Sequence, residues 1–86
     1  MIKIFSTSVC PKCNRLKVSL AKHGIEFESI NVDDAAGLTE MFLLGIVTRD
    51  APVLANGNTV LYTKDMFVGG VLDEERVLRS CNFDGA

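Results

Sequence analysis

A pair of cysteines at the junction of a strand and a helix most constrains the fold of this chain. Residues 2–5 are a short β-prone run that ends at the turn-forming residues 6–8. A helix is predicted next, with Cys10 at its N-cap, Pro11 at its first position and Gly24 just past its end. This pattern places Cys10 and Cys13 in the first turn of a helix.

Further elements are predicted from apolar periodicity and turn residues. In order, they are a strand over 25–32, a helix over 35–44, strands over 52–55 and 59–62, and a helix from Asp73. Asp34 is the expected cap of the second helix, in which Leu38, Met41 and Phe42 form an apolar stripe. Asn56-Gly57 indicates a hairpin with a type I′ turn.

The element order β-α-β-α-β-β-α indicates an α/β protein with a four-stranded mixed sheet flanked by helices. The first β-α-β unit is expected to be a right-handed parallel crossover, with the hairpin antiparallel beside it. A chain of 86 residues has room for a single domain, which we expect to span residues 1–86. Its apolar fraction of 48% and charged fraction of 23% exclude disorder.

Charge and hydropathy argue against two classes of protein. The net charge of −2 argues against a nucleic-acid binder, and no apolar run reaches the length of a membrane span. The first residues lack the layout of a signal peptide, so we expect a cytoplasmic protein. The charge is nevertheless polarised, because residues 1–23 carry five basic residues and no acid, whereas residues 24–86 carry all eleven acids.

The spacing of the two cysteines suits redox chemistry. Residues three apart in a helical turn have Cα atoms about 5–5.5 Å apart, within the range that a disulfide accepts. A Cys10–Cys13 disulfide could therefore open and close with little backbone movement. Cys10 faces outward at the positive end of the helix, which favours its thiolate, so it is the predicted nucleophile. Cys13 is more shielded and is the predicted resolving thiol, while Lys12 either tunes the thiolate or is simply solvated.

Two alternatives to redox chemistry remain at this point, a metal site and a chance occurrence of the cysteine spacing. A C-x-x-C motif is also half of a zinc site, which needs four ligands, and the other candidates are His23 and Cys81. His23 lies at the far end of the first helix and Cys81 near the C-terminus, so we expect no metal, although a metal-binding module stays an alternative. Cys81 itself is interpreted as an apolar filler of the last helix, or as a regulatory thiol.

The chain resembles the glutaredoxins and related small redoxins from Lys3 to about Arg79. The resemblance rests on stretches in a fixed order: Cys10-Pro11-Lys12-Cys13, His23-Gly24-Ile25-Glu26-Phe27, Ile30-Asn31-Val32-Asp33, Ala51-Pro52-Val53, Asn56-Gly57 and Gly69-Gly70. It implies the thioredoxin fold, with Pro52 as a cis-proline that faces the cysteines. It also implies that Ala51 presents its backbone to substrate. Gly69 and Gly70 are either a plain loop or further substrate contacts.

The sequence departs from the glutathione-binding pattern of this family. Thr7 stands where a lysine is common, Asp50-Ala51-Pro52 replaces Thr-Val-Pro, and Gly69-Gly70 is not followed directly by an acidic pair. Glutathione is therefore expected to be a poor reductant, and no bound cofactor is expected.

The resemblance implies a dithiol–disulfide oxidoreductase, an electron carrier that reduces protein or small-molecule disulfides through Cys10-Pro11-Lys12-Cys13. One alternative is a redoxin that donates electrons to ribonucleotide reductase and is recharged by a flavin reductase. Another is a metal-delivery module that uses the same cysteines. The expected partners are disulfide-containing proteins and a thiol or flavin-dependent reductase, with no nucleic acid and no membrane, and we expect a monomer.

Overall fold

The structure, a computed structural model, describes residues 2–81. Its strands are β1 (Ile2–Ser6), β2 (Phe27–Asn31), β3 (Val53–Asn56), β4 (Thr59–Leu61), β5 (Phe67–Val68) and β6 (Val71–Leu72). Its helices are α1 (Pro11–Lys22), α2 (Ala35–Leu43), α3 (Thr63–Met66) and α4 (Glu74–Cys81). The predicted order is confirmed, with α3 and the β5–β6 hairpin as additions between the fourth strand and the last helix.

The main sheet has four strands in the order β2-β1-β3-β4. Strand β1 pairs parallel with β2 and antiparallel with β3, and β3 pairs antiparallel with β4. The predicted mixed sheet is therefore confirmed. The α1 crossover joins β1 to β2, and it brings the carboxyl ends of these two strands to the same edge of the sheet.

Side chains alternate between two cores, one on each face of the sheet. On β1, Ile4 packs with Leu16 and Leu20 of α1, and with residues of α3, β5 and α4. On the same strand, Phe5 packs on the opposite face with Met41 of α2 and with Ile46. Because the central strands are covered on both faces, helices flank the sheet as the sequence predicts.

Helix α2 meets the sheet with a different face from the predicted one. Met41 is buried at 3% exposure, but Leu38 and Phe42 are 37% and 51% exposed. The reason is Gly37, which is buried and has no Cβ, so the helix backbone approaches the carbonyl of Asn31 directly. Gly37 and Met41, four residues apart, therefore form the face in contact with the sheet.

The β3–β4 turn also differs from the prediction. Asn56 pairs with Thr59, so the central residues of the turn are Gly57 and Asn58. Only Gly57 has a positive φ, of +61°, which is the pattern of a type II′ turn. The type I′ prediction was wrong because Asn56 belongs to the strand, so the glycine occupies the first central position.

Within residues 2–81, no helix has both the length and the apolar composition needed to cross a membrane.

Candidate functional site

The two cysteines lie at the start of α1. Cys10 is the N-cap in an extended backbone conformation, and the backbone N–H of Cys13 donates to its Sγ at 3.1 Å. Pro11 occupies the first helical turn, where its missing N–H leaves no helical hydrogen bond unmade. The Cα atoms of Cys10 and Cys13 are 5.2 Å apart, and their sulfur atoms form a disulfide.

Exposure differs sharply between the two cysteines. Cys13 is buried at 1% exposure, whereas Cys10 is half-buried and lies beside the exposed Pro11 and Lys12. An incoming sulfur can therefore reach Cys10, while Cys13 is accessible mainly to Cys10 itself. This asymmetry suits a nucleophile and a resolving thiol, the roles predicted for them.

The loop before β3 lies next to Cys10. The Ala51–Pro52 peptide bond is cis, and Pro52 is buried while Ala51 is half-buried. The hydroxyl of Thr63, at the start of α3, donates to the carbonyl oxygen of Pro52 at 2.9 Å. Thr63 therefore connects α3 to the proline loop.

These elements enclose a depression of about 440 Å³ around Cys10. The residues that line it are Thr7, Val9, Cys10, Pro11, Lys12, Arg15, Arg49, Asp50 and Ala51. It therefore unites Ala51 with three of the predicted catalytic residues, although 39 positions or more separate Ala51 from them in the sequence. We call it the thiol depression.

Charge in the thiol depression is mostly positive. Lys12, Arg15 and Arg49 contribute three cations, and Asp50 contributes one carboxylate. Lys12 also interacts with Phe67, because its Nζ lies 5.7 Å from the centre of the Phe67 ring. This distance allows a cation–π interaction that holds the ammonium between helix α1 and strand β5.

Gly69 and Gly70 form the turn of the β5–β6 hairpin. Both have a positive φ, as a two-residue turn of type I′ requires, and Val68 pairs with Val71 across it. Neither glycine lines the thiol depression. The carbonyl oxygen of Gly70 instead accepts a hydrogen bond of 3.0 Å from the guanidinium of Arg15, which connects this turn to helix α1.

Two residues that the sequence did not suggest position the loop before Cys10. The carboxylate of Asp33 accepts a hydrogen bond of 2.8 Å from the backbone N–H of Ser8. The side-chain amide of Asn31 donates to the Ser8 hydroxyl at 3.2 Å. The signal was available, because Asn31 ends β2 and Asp33 follows it, and the carboxyl end of β2 must lie beside that of β1 in a parallel pair.

The same contacts affect the acidity of Asp33. Hydrogen bonds from the Ser8 hydroxyl and the Ser8 backbone N–H lower the pKa of this carboxyl below its usual 3.8. Asp33 therefore stays ionised at neutral pH and keeps accepting from the loop.

Among residues 2–81, no three His, Cys, Asp or Glu side chains lie so that they could hold a metal ion together.

Comparisons with known proteins agree with this geometry. The chain matches the Glutaredoxin family model over residues 2–55, which is more than half of its length. It is similar to the solved structure of the glutaredoxin-like protein NrdH-redoxin from Escherichia coli, with 28% identity and a TM-score of 0.58. That match covers 70% of this chain and 78% of the other, and NrdH-redoxin is described as having a thioredoxin-like activity profile.

A second solved structure shares the fold. The glutaredoxin(grx-1) from Archaeoglobus fulgidus matches 93% of this chain and 83% of its own, at 20% identity and a TM-score of 0.63. No curated protein sequence matches the chain. The mixed sheet flanked by helices is thus the glutaredoxin/thioredoxin fold, and the family model covers the strand, helix and proline loop that surround Cys10. The chain belongs to the glutaredoxin family.

Proposed function

We propose that the chain reduces disulfides through the Cys10–Cys13 pair and acts as an electron carrier between a reductase and disulfide-containing proteins. The observation that carries this proposal is the disulfide at the start of α1, with Cys10 accessible and Cys13 buried. Membership of the glutaredoxin family supports it. We place this cycle in the cytoplasm, where such thiols are kept reduced between turnovers.

The proposed cycle has two exchange steps. The Cys10 thiolate attacks one sulfur of the substrate disulfide, a mixed disulfide forms, and the first substrate sulfur leaves as a thiolate. Cys13 then loses its proton and attacks the Cys10 sulfur, which forms the Cys10–Cys13 disulfide and releases the second substrate thiolate. Two electrons and two protons from an external reductant restore the dithiol.

The start of α1 favours the reactive form of Cys10. The cysteine sulfur already accepts the backbone N–H of Cys13 at 3.1 Å, and this contact would stabilise a negative charge on it. The helix dipole acts in the same direction. Lys12 and Arg15, which line the thiol depression, add positive charge nearby. We therefore assign a thiolate-tuning role to Lys12.

Turnover of 2-hydroxyethyl disulfide by the reduced protein tests this proposal. Cys10→Ser should abolish turnover, and Cys13→Ser should accumulate a mixed disulfide that mass spectrometry detects on Cys10. Cys81→Ala is the matched control, because Cys81 lies on α4 and packs at the edge of the core. A folded Cys10→Ser protein that still turns over the disulfide would overturn the assignment.

We further propose that a flavin-dependent reductase, not glutathione, recharges the pair. Thr7 and Asp50, two of the departures from the glutathione-binding pattern, both line the thiol depression. Asp50 brings a carboxylate towards the place where an anionic tripeptide would bind. Similarity to NrdH-redoxin, with its described thioredoxin-like profile, supports the same conclusion.

The expected penalty for glutathione is large. A hydrogen bond to a charged group contributes about 1.5–3 kcal/mol, so losing one or two weakens binding by roughly 10- to 20,000-fold. Lys12 and Arg15 can still attract an anion at long range, but salt screens this attraction. To test whether glutathione is a poor reductant, steady-state turnover is measured with glutathione and with a thioredoxin-type reductase, side by side at physiological salt. A glutathione rate equal to that of an ordinary glutaredoxin would contradict the proposal.

Two alternatives have their own tests. Electron donation to ribonucleotide reductase predicts that the reduced chain supports turnover of that enzyme, and the similarity to NrdH-redoxin is compatible with it. Metal delivery by Cys10 and Cys13 predicts stoichiometric zinc or iron in protein purified without chelator.

A substrate-binding role for the Gly69-Gly70 turn would be indirect, through the Arg15 contact with Gly70. Sedimentation velocity tests the expected monomer.

A further inference from the structure

A second and larger depression, of about 550 Å³, runs along helix α1 on the side of the β5–β6 hairpin. It is lined by Asn14, Arg15, Val18, Ser19, Lys22, Val71, Leu72 and Glu74. We call it the α1–β6 groove. Arg15 lines both this groove and the thiol depression, so the two are adjacent along one surface.

The groove is lined by apolar side chains that solvent reaches. Val18 and Val71 are 65% and 67% exposed, and they lie on opposite walls, one on α1 and the other on β6. Val68, which pairs with Val71 across the hairpin, is also 67% exposed. Covering these side chains with an apolar group would remove them from water, which is favourable.

The charges around the groove favour an anionic partner. Among residues 2–81, Glu74 is the one carboxylate that lines it. Its carboxylate accepts from the Ser19 hydroxyl at 2.8 Å and lies 3.7 Å from the Lys22 Nζ. These contacts lower the pKa of Glu74, so it is ionised at neutral pH, where Lys22 partly compensates its charge. Arg15, at the end nearer Cys10, contributes a further cation.

Helix geometry sets the spacing between the groove and the thiol. At 1.5 Å per residue, Arg15 lies about 7.5 Å and Val18 about 12 Å beyond Cys10 along the helix axis. An extended peptide advances about 3.3 Å per residue. A bound segment whose cysteine reaches Cys10 would therefore place its second residue from that cysteine near Arg15 and its fourth near Val18.

We propose that the α1–β6 groove docks the segment that flanks the reactive cysteine of the partner protein, a proposal that rests on the disulfide-reductase function above. The segment is extended, with an acidic residue about two positions from its cysteine and a large apolar residue about four positions from it. The carboxylate faces Arg15, and the apolar side chain covers Val18 and Val71. Disulfide exchange takes place in the thiol depression, and the groove selects the partner protein.

The test compares matched peptides that each carry one cysteine in a mixed disulfide with a small chromogenic thiol. The reference peptide has Glu two positions and Leu four positions from its cysteine. The first comparison peptide has Lys for Glu, and the second has Ser for Leu. For the wild-type chain we expect kcat/KM to fall about five- to tenfold for each change, relative to the reference peptide.

Val18→Ser tests the groove itself. The substitution keeps a similar helix propensity at an exposed position, so α1 should form normally. We expect the ratio of kcat/KM for the reference peptide to that for 2-hydroxyethyl disulfide to fall about five- to tenfold. Val47→Ser is the matched control, because Val47 is 79% exposed and lines neither depression. Its ratio should equal that of the wild type.

The possible results separate the two proposals. If the wild-type chain turns over neither peptide nor small disulfide, the oxidoreductase function itself is wrong. If it turns over both, but does not discriminate among the peptides and is insensitive to Val18→Ser, only the docking proposal is wrong. If Val18→Ser fails to fold, the peptide series with the wild-type chain still tests the docking proposal. A wild-type dimer that Val18→Ser dissociates in sedimentation velocity would assign the groove to a second copy and overturn the proposal.

Discussion

The backbone N–H of Ser8 donates a hydrogen bond of 2.8 Å to the carboxylate of Asp33, a residue 25 positions further along the chain. Ser8 lies two residues before Cys10, so this contact fixes the loop that leads from β1 to the N-cap of α1. Asn31 holds the same serine through its hydroxyl. The position of the nucleophilic sulfur therefore depends on the segment after β2 as well as on its own helix.

The carboxyl of Asp33 should titrate below its usual value. Hydrogen bonds from the Ser8 hydroxyl and backbone lower the pKa of Asp33 below 3.8 in the folded state. The contact therefore stabilises the fold above the unfolded pKa, and this contribution is lost as pH falls below about 4 through the folded pKa. Carboxyl ¹³C NMR titration measures the pKa of Asp33 directly, and the amide proton of Ser8 should titrate with the same midpoint.

Ser8→Ala provides the control for this titration. It keeps the backbone N–H and removes the hydroxyl, so the pKa of Asp33 should move part of the way back towards 3.8. An Asp33 carboxyl with its ordinary pKa in the wild-type chain would show that the loop is not held in this way.

The two thiols of the reduced pair should react at very different rates. Cys10 is half-buried beside the thiol depression, whereas Cys13 is 1% exposed. With iodoacetamide at pH 7, we expect Cys10 to be alkylated at least about tenfold faster than Cys13. Burial raises the pKa of the Cys81 thiol, so it should also react more slowly than Cys10. Peptide mass spectrometry follows each site, and equal alkylation rates at Cys10 and Cys13 would contradict the assignment of Cys10 as nucleophile and Cys13 as resolving thiol.

Thr63→Val should destabilise the fold by about 1–3 kcal/mol, because the buried carbonyl of Pro52 loses the hydroxyl that donates to it. Urea unfolding measures the free energy, and Thr63→Ser should recover most of it. Thr59→Val is the matched control at an exposed position of strand β4, with an expected change within about 0.5 kcal/mol. If the two valine variants are equally stable, the Thr63–Pro52 hydrogen bond has no net effect.

Gly37→Ala should also destabilise the fold, although alanine is the better helix former. A Cβ at this position would overlap the backbone carbonyl of Asn31, so α2 would have to move away from β2. We expect a net loss of about 1–3 kcal/mol, since the overlap outweighs the gain in helix propensity. Thr39→Ala, exposed on the same helix, should change the free energy of unfolding by less than about 0.5 kcal/mol. A Gly37→Ala protein as stable as the wild type would refute the close approach.

Much of the fold could be predicted because its signals are local. Pro11 and Gly24 delimit α1, and Asp73 caps α4 through the backbone N–H of Arg76. The element order then predicted how the strands pair, since a β-α-β unit makes a parallel pair and a hairpin an antiparallel one. The prediction for the buried face of α2 failed, since its apolar stripe does not show that Gly37, and not Leu38, faces the sheet. The turn type failed because the pairing of Asn56 with Thr59 is a contact between strands.

The sequence by itself determined that two cysteines begin a helix after a strand, because helix caps and i,i+3 spacing depend only on neighbouring residues. Tertiary structure alone decided which distant groups surround them. Asp33 meets Ser8, Thr63 meets Pro52, and Arg15 meets Gly70. These pairs are 25, 11 and 55 positions apart in the chain. Such contacts depend on how packed elements close against one another, which no local pattern specifies.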